Sequence, residues 1–88
     1  MGFLGSLFRT GKLNADLEQQ ALARALIDSV EHNRGFAKEE VFKILARNRW
    51  SRSEQRNRLA HAASMSKISR ADLYPRITEL AKALYFSV

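Results

Sequence analysis

The chain has no cysteine, a single proline and four glycines in 88 residues. Each shortage excludes something. Without thiols there are no disulfides, no thiolate metal sites and no cysteine nucleophile; the missing staples fit a reducing compartment, and a cytoplasmic location is the expectation. Few prolines and glycines leave little to interrupt a helix, and no alternating β-branched run supplies a strand signal. No apolar run nears the roughly 20 residues needed to span a bilayer. The first residues lack the early positive charge of a secretory signal, so export by that route is not expected. They also lack acids, the first being Asp16.

What is present is ordinary in bulk and uneven in distribution. The hydrophobic fraction of 45% belongs to a globular chain. A chain this short forms one domain and buries roughly 60–65% of its unfolded surface, which makes a thin core. The formal net charge is +6, and it is local. Residues 13–42 carry three bases against six acids, whereas residues 43–58 carry Lys43 and five arginines against Glu54 alone. An excess this concentrated marks a surface for a polyanion or an acidic partner.

Periodicity predicts an all-α chain: a compact bundle of four main helices with a short amphipathic N-terminal arm. The first long helix is expected from Asn14, as N-cap, to Asn33. Leu22, Leu26 and Val30 form its buried stripe, beside Ala23 and Ile27, with an Arg24–Asp28 ion pair on the outer face. Gly35 is expected to stop it in the left-handed conformation. The second runs from about Ala37 to Arg49. Its stripe is Val41, Ile44 and Leu45, extended by Asn48, with Phe42 at the margin and Lys43 and Arg47 on the far side. The third starts near Ser51, where Ser51-Arg-Ser-Glu54 fits a capping box, buries Leu59, Ala62 and Ala63, and ends around Ser64-Met-Ser66. The last carries Leu73, Ile77, Leu80 and Leu84 with Ala81. Pro75 falls in its first turn and Asp72 is the expected N-cap.

Residues 1–12 read as a separate arm, and residues 13–88 as the helical domain. Phe3, Leu4, Leu7 and Phe8 share one side of the arm, with Arg9 and Lys12 alongside and Gly11 breaking it from the rest. Such a segment suits a membrane interface, a partner's groove or an apolar patch of its own domain.

The basic run RNRWSRSEQRNR, Arg47 to Arg58, is the candidate site. Lys43, Arg47, Arg49, Trp50, Arg52, Arg56 and Arg58 surround a tight turn between two helices. Guanidinium groups pair with phosphate oxygens, and Trp50 either fills the core or stacks on a base. The arrangement resembles, in outline and over about twenty residues, the helix-turn-helix motif of DNA readers. Ala46, Leu45 and Leu59 match that pattern; Trp50 stands where glycine is usual, and Arg49 and Arg56 stand at apolar positions. Arg52 and Arg56 lie on the Leu59 side and are expected to flank the core or reach Asp28 or Glu31. The binding role therefore rests mostly on Lys43, Arg47, Arg49 and Arg58.

His32 and His61 have no second metal-type residue at helical spacing. Gly11-Lys12 lacks the remainder of a phosphate loop. No cofactor and no catalytic set are expected. The leading expectation is a small intracellular nucleic-acid-binding or regulatory protein. The alternative is a non-enzymatic interaction module or inhibitor that docks on an acidic protein, with peripheral membrane contact through residues 2–9 or a homodimer as further forms.

Overall fold

A computed structural model of the chain describes the backbone of residues 2–32 and 35–86, and the side chains of residues 16–32 and 38–86. Four helices follow in order: α1 (Gly2–His32), α2 (Gly35–Arg47), α3 (Arg52–Ser69) and α4 (Tyr74–Tyr85). The expected all-α bundle is what the chain forms. Helix α1 packs against the other three, and α3 against α4. Polar contacts fix the directions. Glu18 of α1 meets Arg47 at the end of α2, so these two are antiparallel. Gln19 and Glu31 of α1 meet Arg58 near the start of α3 and Arg70 just past its end, both pairs 39 residues apart, so α1 and α3 run the same way.

The core follows the apolar spacing. Leu22, Leu26, Val41, Ile44, Leu45, Leu59, Ile77 and Leu84 are buried, with Ala23, Ala25, Val30, Ala62, Ala63 and Ala81 closing the gaps between them. Small residues on α3 let α1 and α4 approach closely. Leu73, Leu80 and Trp50 pack at the core's edge. Each helix contributes the stripe expected of it, and Phe42 is 37% exposed at the margin of its own.

The helix ends differ from expectation in five places. Helix α1 passes through Gly11 and Asn14 without a break, so Asn14 caps nothing and Gly11 does not separate the arm's backbone from the rest. A glycine inside a helix costs about 1 kcal/mol relative to alanine and does not forbid the conformation. The side chains of Phe3, Leu4, Leu7 and Phe8 lie outside the described residues. Gly35 is the first residue of α2, not a left-handed terminator of α1, and no described glycine has positive φ. Helix α2 ends at Arg47, because Asn48 folds its amide back to donate to the Ile44 carbonyl at 2.7 Å and Arg49 turns to φ 54°. Helix α3 continues past Ser64-Met-Ser66 to Ser69: the buried Ser66 hydroxyl donates to the Ala63 carbonyl at 2.6 Å, which satisfies it within the helix. Asp72 does not cap α4. Leu73 occupies that position with no side-chain bond, and the Asp72 carboxylate instead receives Arg70 at 3.2 Å. Pro75 lies in the first turn of α4, where its missing N–H leaves no bond unmade.

Two smaller expectations also shift. Arg24 and Asp28 do not pair; Asp28 meets His32 at 3.3 Å, one turn further on. The capping box is half formed. Ser51 accepts the Glu54 amide at 3.1 Å, while the Glu54 carboxylate turns away to Arg58.

Candidate functional site

The turn between α2 and α3 is built from a left-handed residue and a cap. Arg49 at φ 54° reverses the chain, with its amide donating to the Ala46 carbonyl at 3.3 Å. A side chain with a Cβ pays about 1–2 kcal/mol for this conformation, and glycine is the residue that avoids it. In the helix-turn-helix comparison glycine is usual one position later, at Trp50; here the residue that makes the turn is Arg49. Ser51 then starts α3.

Two arginines on either side of the turn are tied down. Arg47, in the last turn of α2, grips Glu18 with both ends of its guanidinium, its Nε donating at 2.7 Å to one carboxylate oxygen. That bond holds the Glu18 carboxyl below the ordinary carboxylate range, against the opposing effect of burial. Arg58, in the second turn of α3, donates to Glu54 at 2.9 Å and to the Gln19 side-chain oxygen at 3.3 Å. Buried Gln19 returns the contact by donating to the Arg58 carbonyl at 2.8 Å. Arg58 also lies over the Trp50 ring, 5.0 Å from its centre. Trp50 is half-buried against the core, and Gln55 donates to its carbonyl.

Four cations of the run remain. Lys43, Arg49, Arg52 and Arg56 are exposed and take part in no ion pair among the described residues. Arg52 and Arg56 do not reach Asp28 or Glu31, whose partners are His32 and Arg70. Both side chains are exposed, and the first fully buried residue of α3 is Leu59. The structure thus divides the seven sequence candidates. Arg47, Arg58 and Trp50 brace the turn, while Lys43, Arg49, Arg52 and Arg56 form its open charge. Along α2 the rise from Lys43 to the last helical residue, Arg47, is about 6 Å, and Arg52 and Arg56 are also about 6 Å apart along α3.

Sequence reasoning missed Glu18 and Gln19 as partners of this site. Their only signal was position: two polar residues at the edge of the α1 stripe, just before Leu22. Two open grooves flank α1 elsewhere. One, of 510 Å³, lies against α2 beside Arg24, Ile27, Glu40 and Ile44; the other, of 470 Å³, lies against α3 beside Arg24, Ile27, Met65 and Ile68. No group of three His, Cys, Asp or Glu among the described residues is placed to hold a metal ion. No described helix is long and apolar enough to cross a membrane. No family model matches the chain, and neither curated proteins nor solved structures show a significant match to it.

Proposed function

We propose that the protein binds nucleic acid, without catalysis, through the turn between α2 and α3. One observation carries this reading. Four exposed cations, Lys43, Arg49, Arg52 and Arg56, sit around one braced turn and make no ion pair among the described residues, while Glu18 and Glu54 beside the turn are occupied by Arg47 and Arg58. A solvated basic face gains nothing from such sorting, whereas a phosphate backbone meets four cations it does not have to free from carboxylates first.

The contact is electrostatic, and its salt dependence measures the number of cations. Four neutralised phosphates give a slope of about −3.6 in log affinity against log salt for a duplex. Anisotropy of a labelled duplex titrated at several salt concentrations reads this directly. Changing Arg52 and Arg56 together to Ala brings the slope to about −1.8 and leaves the helical circular dichroism unchanged. A flat salt dependence for the unaltered protein overturns the reading. A folded protein that ignores both DNA and RNA points instead to an acidic protein partner at the same turn.

A further inference from the structure

We infer that the nucleic acid this turn accepts is a duplex held by its phosphates, and not a single strand stacked on aromatic rings. The inference rests on the reading of the turn as a nucleic-acid site. Proteins that take single strands combine a basic groove with exposed aromatic faces, each stacked base contributing about 1–3 kcal/mol. The basic run contains the chain's one tryptophan, in the place where such a platform would stand. That ring is already engaged. Trp50 packs on the hydrophobic core, and the Arg58 guanidinium lies 5.0 Å from its centre. Arg58 is itself held by Glu54 and Gln19, so uncovering the ring means breaking those bonds as well. Phe42 is the other Phe, Tyr or Trp in the described parts of α2 and α3. It is exposed, but it stands about 100° round the helix from Lys43 and away from the turn that carries Arg49, Arg52 and Arg56.

The frame around the cations favours the same partner. Arg47 ties the end of α2 to Glu18, and Arg58 ties the start of α3 to Gln19, two adjacent residues of one helix. The turn is therefore tied to α1 on both sides, and its cations project from that frame. A preorganised array loses little entropy when it meets a partner of fixed shape, such as a double helix. A single strand would need a mobile or aromatic surface to follow.

The single tryptophan provides the test. A short duplex and each of its separated strands are titrated into the full chain at about 0.1 M salt, following label anisotropy and Trp50 emission together. Four cations give slopes of about −3.6 on a duplex and −2.8 on a single strand; from equal affinity at 1 M, these yield about sixfold tighter duplex binding at 0.1 M. The expected result is a duplex preference of at least that size, with Trp50 emission unmoved by either ligand and affinity unchanged in Phe42→Ala. A single strand bound as tightly as the duplex or more so overturns the inference and leaves the nucleic-acid reading standing, as does Trp50 quenching on strand binding. Binding to neither ligand at low salt overturns the nucleic-acid reading, and this inference falls with it.

Discussion

Arg58 in α3 and Arg70 at its C-terminal cap both reach back to α1, yet the surfaces around them differ in charge. Around Arg70 nearly every cation has a partner. Arg70 meets Glu31 and Asp72, Arg76 donates to the Val30 carbonyl at 3.5 Å, and Lys67 lies over the Tyr74 ring. Around Arg58 the arginines that touch α1 are neutralised in the same way, but Lys43, Arg49, Arg52 and Arg56 stand beside them and make no ion pair among the described residues. One residue type serves as mortar at one end, and as both mortar and open charge at the other. Arginine count alone therefore says little about a binding surface; the acids left over near it decide.

The contrast can be tested from its largest effect to its smallest. Leu59→Ala removes a fully buried side chain beneath both ends. It should lower stability by about 2–5 kcal/mol in urea unfolding, and both ends should melt in one transition. Arg58→Ala should cost about 2 kcal/mol, because it leaves the buried Gln19 oxygen without its donor and uncovers Trp50. Duplex binding should weaken while the salt slope stays near −3.6, since Arg58 braces the turn without contacting phosphate. Arg49→Gly separates the two roles in the opposite sense. Relief of the left-handed strain should stabilise the fold by about 1 kcal/mol, while the slope falls to about −2.7.

Glu18→Gln is smaller in stability and sharper in meaning. The Arg47–Glu18 pair is a surface contact worth about 0–1 kcal/mol. Removing its charge frees Arg47 to join the open cations, and the slope should steepen to about −4.5. An unchanged slope would show that Arg47 does not face the ligand. The pH response follows from the same pair and from Asp72, whose carboxyl the Arg70 hydrogen bond holds below its ordinary range. Both groups bind fewer protons folded than unfolded. Their contribution is therefore complete above the ordinary carboxylate range and is lost as pH falls through it toward the lowered folded values. Urea midpoints measured from about pH 7 to about pH 3 should fall, and Glu18→Gln should flatten part of that fall.

Much of the fold was legible because burial has a period. Leu22, Leu26, Val41, Ile44, Leu45, Leu59, Ile77 and Leu84 announce themselves by spacing alone, and all are buried. Helix ends were less legible, because each was decided by a competition that spacing does not record. Asp72 is a good N-cap by type, but Arg70 two residues earlier holds its carboxylate. Gly35 is a good terminator by type, yet it opens the next helix. The site was legible as a run of charge and not as a division of labour. Which arginines are open depends on Glu18 and Gln19, and the bonds they make span 29 and 39 residues of chain. Chemical type alone does not report a contact at that range.

The two clasps between α1 and α3 have a consequence for how the length of this chain can vary. Gln19–Arg58 and Glu31–Arg70 share one separation of 39 residues. An insertion anywhere between Glu31 and Arg58 lengthens both separations together and leaves both clasps closable. An insertion between Gln19 and Glu31, or between Arg58 and Arg70, lengthens only one, and the two clasps then demand different alignments of the same pair of helices. A matching insertion in each stretch restores the agreement. The two clasps thus leave the length of the connecting segment to be set by the contacts of α2 itself, its buried stripe and Arg47, whereas the two clasped stretches can change length only in step.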